Sequence, residues 1–127
     1  MIFNNKYLSF KYFYITFICT VLFTGTSCES DKSNITFSDL EVNVSGTLSG
    51  NPRSGLKVTV YDTEEDAMNE VNAITSSQIT DSNGYSFFQD LEPGFRYWVR
   101  VDTTLINNIK RSQQLDEGFN EMSMTIL

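Results

Sequence analysis

The sequence predicts an all-β domain, a two-sheet sandwich of seven short strands with one short helix inserted between strands. Three observations carry this reading. Apolar residues recur with a period of two in several short runs, most cleanly at Leu40, Val42 and Val44 and at Tyr97, Val99 and Val101. Clusters of Gly, Pro, Asn and Asp interrupt these runs about every eight to twelve residues, the rhythm of a sandwich. The period changes toward a helical one only over Asp62–Ile74.

Taken in order, Asp39–Leu48 places Leu40, Val42, Val44, Gly46 and Leu48 on one face and Glu41, Asn43, Ser45 and Thr47 on the other. Pro52, which cannot donate to a ladder, and Gly50 and Gly55 end that strand. Leu56–Tyr61 repeats the alternation, with Leu56, Val58 and Val60 inward and Lys57, Thr59 and Tyr61 outward. Ala67, Val71 and Ile74 fall at i, i+4, i+7, so a helix is expected over Glu64–Asn72, capped by Asp62 with Glu65 or by Thr63 with Asp66. Its acidic residues suit a solvated first turn, where the helix dipole favours them. Ser76–Thr80 is a brief strand, and Asp81-Ser82-Asn83-Gly84 is a turn in which Gly84 can take positive φ. Tyr85, Phe87 and Leu91 are read as inward, Ser86 and Phe88 as outward. Pro93-Gly94 turns the chain, and Tyr97–Asp102 is expected to return as a hairpin partner that brings outward Phe88 opposite Trp98. Ile109–Gln113 is a polar edge strand, and Met122, Met124 and Ile126 alternate into a closing strand.

Composition narrows the function classes. Residues 1–27 contain two of the nine basic residues and none of the sixteen acidic ones, so the remainder carries a side-chain charge of −9. Such a surface repels phosphate backbones, and no nucleic-acid partner is expected. The chain has no histidine, which removes Ser-His-Asp and Cys-His sites and the usual zinc spheres. Neither a metal nor another cofactor is expected, and no catalytic constellation stands out: the acidic residues near Glu64 cluster on a helix face without a reason for perturbed pKa values.

Residues 1–27 read as an export leader. Lys6 and Lys11 precede the apolar run Tyr12–Phe23, which has the length of a leader's apolar region and is short for a bilayer span, and small residues lead to Cys28. This resembles a bacterial lipoprotein signal, which implies that Cys28 is acylated, becomes the mature N-terminus and ties the protein to a lipid bilayer. The family usually has leucine where this chain has Gly25, and Gly25 with Ser27 also satisfies the small-x-small rule of ordinary secretory cleavage. In either reading the cut falls before Cys28. Residues 28–37 then form a flexible tether and residues 38–127 the domain.

The runs VSGTLSG at Val44–Gly50, GLKVTVY at Gly55–Tyr61, TDSNGYSF at Thr80–Phe87 and DLEPGFRYWVRV at Asp90–Val101 resemble the carboxypeptidase regulatory-like domains. These are also called prealbumin-like or transthyretin-like, with an Ig-like seven-stranded sandwich. The resemblance implies a fold and an accessory role, since such domains in carboxypeptidases stand apart from the catalytic unit. The expectation is therefore a non-catalytic lipoprotein of the bacterial cell envelope, periplasmic or surface-facing, that serves as a binding or assembly module. The alternative is a carbohydrate-recognition module that uses outward Phe88 and Trp98 with Tyr61 nearby, the partner being a glycan instead of an envelope protein; a structural spacer is the third reading.

Overall fold

The computed structural model describes residues 36–104 and 108–127. The leader and Cys28 lie outside the described residues. Among the described residues, seven strands form in the order β1 (Ser38–Gly46), β2 (Lys57–Tyr61), β3 (Gln78–Ile79), β4 (Tyr85–Leu91), β5 (Trp98–Asp102), β6 (Asn108–Arg111) and β7 (Gly118–Ile126). One helix, α1 (Glu64–Asn69), lies between β2 and β3. The strands make a three-stranded sheet ordered β4-β1-β7 and a four-stranded sheet ordered β3-β2-β5-β6, so the fold is the all-β sandwich that the periodicity predicts.

The core lies between the sheets. β1 contributes Leu40, Val42 and Val44, β7 contributes Met122, Met124 and Ile126, and β2 and β5 contribute Val58, Val60, Val99 and Val101. β1 and β7 pair in parallel from Ser38 opposite Gly118 to Gly46 opposite Ile126, so one ladder joins the two ends of the domain. The pairing continues outward through Phe37, whose carbonyl accepts the Gly118 N–H at 3.0 Å, and Thr36 Oγ1 donates to Glu117 Oε1 at 2.9 Å.

β4 departs from the sequence expectation in both facing and partner. Phe88 is 2% exposed and belongs to the core, whereas Tyr85 and Phe87 are exposed. The cause is a bulge: between Ser38 and Leu40 of β1, β4 advances from Leu91 to Phe88, one residue more than its partner, and Asp90 takes a left-handed φ of 60°. The extra residue changes the parity, so Leu91 and Phe88 both point inward. Alternation counted back from Leu91 therefore puts the wrong residues inside. Ser86 shares the inward face, and its Oγ is buried without a hydrogen-bond partner among the described residues.

Nor is β4 the hairpin partner of β5. It pairs with β1, and the segment after Pro93 crosses to the other sheet, where Gly94 N–H donates to Leu115 O at 2.8 Å and Leu115 N–H to Phe95 O at 2.9 Å. The Asp81–Gly84 turn crosses between sheets as well, from β3 to β4. Asp81 Oδ1 accepts the N–H groups of Asn83 and Tyr85, both at 2.9 Å. Gly84 has φ +81°, and a Cβ there would stand 2.5 Å from the Val44 carbonyl oxygen, so both the conformation and the close approach call for glycine.

The outer face of the four-stranded sheet is covered in its middle, while Lys57, Ile79 and Arg111 toward its edges stay exposed. α1 packs against β2, β5 and β6, and Thr59 and Tyr61, expected outward, are both buried. The helix is shorter than its periodicity suggests. Thr63 caps its start, accepting the Asp66 N–H at 3.1 Å and donating to Asp66 Oδ2 at 2.8 Å. Glu70 ends it in the left-handed region with φ 54°. Only Ala67 of the apolar triplet is buried, while Val71 and Ile74 lie beyond the helix and are exposed.

Candidate functional site

The structure separates the three aromatic residues expected to form an outward cluster. Trp98 lies directly across from Tyr61 in the β2–β5 ladder, so those two are neighbours. Tyr61 is 3% exposed, and half-buried Trp98 has the Arg111 guanidinium over its ring at 5.7 Å from the centroid. Phe88 is in the other sheet, on its inner face. An exposed Phe88–Trp98 platform is therefore absent, because the bulge turns Phe88 inward and the two residues sit on strands of different sheets.

The exposed aromatic face lies elsewhere, on the outside of the three-stranded sheet. With Leu40, Val42 and Val44 inward, β1 presents Asp39, Glu41, Asn43 and Ser45 to the outside. On one side of β1, Phe87 stands across from Glu41 and Tyr85 across from Asn43. On the other, Phe119 aligns with Asp39 and Glu121 with Glu41. The Phe87 and Phe119 rings reach toward each other over β1, with centroids 6.4 Å apart and planes 28° apart. Phe119 is 59% exposed, Phe87 40% and Tyr85 37%. Phe37, also exposed, precedes β1 with the same parity as Asp39. No Lys or Arg stands among the outward residues of these strands.

Part of this face was available from alternation alone: Phe119 shares its parity with Glu121, Ser123 and Thr125, opposite to Met122, Met124 and Ile126. Tyr85 and Phe87 were hidden by the bulge. Chemically, the face offers aromatic rings for stacking, carboxylates for cations or hydroxyl donors, and the Asn43 amide.

At one end of the sandwich a cleft of about 480 Å³ is lined by Asp62, Ile74, Asp90, Glu92, Phe95 and Tyr97, among others. Tyr97 closes the β4–β5 connection: its hydroxyl donates to Glu92 O at 3.2 Å and accepts from Glu92 N–H at 3.1 Å. Burial pushes the phenol above its ordinary value of 10.0, the backbone hydrogen bond to Glu92 opposes this, and the nearby Glu92 and Asp62 carboxylates add to it. A raised folded-state pKa favours the protonated form. The Tyr97 contribution is thus whole below pH 10.0 and is lost as pH rises through the higher folded-state value. Urea titrations from pH 8 upward should show this decline, and Tyr97→Phe should flatten it while costing about 1 kcal/mol at neutral pH. Among the described residues, no group of three or more His, Cys, Asp or Glu side chains could hold a metal ion.

Neither a protein-family model nor a curated protein matches the sequence. Solved structures do match in fold. The Bacillus anthracis TIE protein superposes with a TM-score of 0.51 and 12% identity, covering 72% of this chain and 16% of that one. The group B streptococcus pilus 2b backbone protein gives 0.50 and 9% identity, covering 68% of this chain and 39% of that one. The Klebsiella pneumoniae 5-hydroxyisourate hydrolase gives 0.46 and 13% identity, over 69% and 84% of the two chains. This chain thus spans well under half the length of the first two. At such identities the likeness is one of fold alone.

Proposed function

We propose that the domain is a non-catalytic binding or assembly module of a bacterial cell envelope, of the carboxypeptidase regulatory-like kind, held at a membrane by acylated Cys28. Its contact surface is the outer face of the three-stranded sheet. One observation carries the choice of surface. The two outer faces of the sandwich are unequal: the middle of one is covered by α1, and the other exposes Phe87, Phe119 and Tyr85 beside carboxylates that form no ion pair among the described residues. An outward sheet face ordinarily reads polar, and clustered exposed aromatics are the residues that anchor partners. The group B streptococcus protein is a pilus backbone protein by name, but the fold likeness does not transfer that role, so the reading rests on the face.

The test joins anchor and face. Mass spectrometry of the protein from its native membrane should find Cys28 as an acylated N-terminus; an unmodified cysteine there removes the anchor. Two acyl chains would suffice, since each buried CH₂ contributes about 0.8 kcal/mol. Phe87→Ala with Phe119→Ala should shift stability by no more than about 1 kcal/mol, because both rings are largely exposed. The same pair should abolish in-membrane cross-linking to a neighbouring envelope component. Unchanged cross-links would reject this face as the contact surface.

A further inference from the structure

Resting on that assignment of the face, we infer that its partner is cationic: a protein segment that presents Arg or Lys side chains to the outside of the three-stranded sheet. The carboxylates are arranged for it. Glu41 stands in register with Glu121 on β7, with Asp39 two residues along the same strand. Neighbouring strands are about 4.8 Å apart, and like charges side by side on one face oppose each other. Among the described residues none of the three has an ion-pair partner. On the other sheet the fold does provide counter-charges: Asp102 lies 2.6 Å from Arg100 and 3.4 Å from Lys57, and Glu70 lies 3.3 Å from Arg100. The four-stranded sheet therefore ion-pairs its acid. On the open face Lys110 and Arg111 share a cleft with Glu121 at the β7 edge, and Lys110 Nζ donates to Ser123 O at 2.8 Å, but among the described residues no ion pair forms with Asp39, Glu41 or Glu121.

The rings complete the match. Phe87 is the direct neighbour of Glu41, and Phe119 of Asp39, so a cation brought to a carboxylate also meets an aromatic face. Cation–π attraction acts within about 6 Å of a ring centroid. The domain already holds one such contact, Arg111 over Trp98 at 5.7 Å. A second copy of this chain is a poor occupant, because it would bring the same carboxylates face to face in a domain of net charge −8. A neutral glycan could stack on the rings but would leave the Glu41–Glu121 repulsion unrelieved.

The experiment titrates the domain with a short peptide alternating arginine and serine, which in extended form puts its guanidinium groups on one side. Binding is followed by calorimetry near physiological salt, where non-specific attraction is screened beyond about 8 Å. Expected is binding that weakens about tenfold in F87A/F119A, with no charge altered, and about tenfold in E41Q/E121Q. E64Q/E65Q makes the same charge change on exposed residues of α1 and should bind within about twofold of wild type. Equal losses in E64Q/E65Q and E41Q/E121Q would mean general charge attraction and overturn the proposal, as would wild-type binding by F87A/F119A. In a parallel titration with a neutral xylo-oligosaccharide, a response at Phe87 and Phe119 without one to the peptide would also overturn the cationic partner while sparing the face. If neither probe binds, the cationic partner falls, and the cross-linking result decides separately whether the face is a contact surface.

Discussion

Phe88→Ala lowers the stability of the domain by about 3–5 kcal/mol. Phe88 is among the largest side chains that are fully buried, and it packs in the core with residues of both sheets. Truncating it loses the transfer free energy of the ring and leaves a cavity that the paired sheets can only partly close. A domain this small has about 5–15 kcal/mol in hand, and each kcal/mol moves the melting temperature by about 4–8 °C. Thermal unfolding followed by circular dichroism should therefore fall by roughly 12 °C or more, or the variant should fail to fold. Phe87→Ala is the internal control. It removes the same ring one residue away, from a side chain 40% exposed, and should cost no more than about 1 kcal/mol. A larger loss at Phe87 than at Phe88 would mean that the bulge at Asp90 is misplaced and the strand faces the other way. The contrast also guards the functional reading, since lost binding in a Phe88 variant would report a damaged core and not a contact.

What alternation could and could not convey follows from its physics. A period of two tells which residues share a face, and it correctly put Leu40, Val42 and Val44, Val58 and Val60, Val99 and Val101, and Met122, Met124 and Ile126 inside. It does not say which strand lies next to which. Pro93-Gly94 reads as a hairpin turn because turn chemistry marks a reversal, whether the chain returns to the same sheet or crosses to the other. Period two also fails silently at a bulge, because one inserted residue inverts the parity without breaking the pattern of apolar residues. Asp90 in a left-handed conformation looks in the sequence like any polar strand residue, since glycine, the usual marker, is absent there. The open aromatic face was half visible for the same reason: Phe119 keeps its parity with the whole of its strand, whereas Phe87 shares the parity of buried Leu91 and is set outward only by the bulge between them. The α1 cover was not legible at all in Thr59 and Tyr61, whose polar-leaning positions resemble solvent-facing ones until a second element lies on them.

Arg100 is the residue through which that cover is held, and Arg100→Ala should cost about 2–4 kcal/mol. It projects from the outer face of β5 and is 6% exposed. Its Nη1 donates to the carbonyls of Ala67 at 2.7 Å and Met68 at 3.2 Å, and its Nε donates to Asp102 Oδ1 at 2.6 Å. α1 has no basic residue in its last turn, so the guanidinium supplies from the sheet the positive charge that a helix C-terminus favours. A six-residue helix does not persist in water alone, and this anchor with the burial of Ala67 holds it in place. Removing the guanidinium strands two carbonyls and leaves Asp102 only the longer contact to Lys57. Asp102 is partly exposed, which keeps the loss below that of a fully buried pair. Glu70 contributes little, since its side chain is 49% exposed, and Glu70→Gln should stay within about 1 kcal/mol. Arg100→Lys should recover only part of the loss, because one ammonium cannot span the helix carbonyls and Asp102 as the planar fork does. Hydrogen exchange separates this account from simple core damage: in Arg100→Ala the amides of α1 lose protection while those of β1 and β7 keep theirs. Equal losses in Arg100→Ala and Glu70→Gln would point instead to the exposed ion pair as the anchor, and the covered sheet face would then depend on salt.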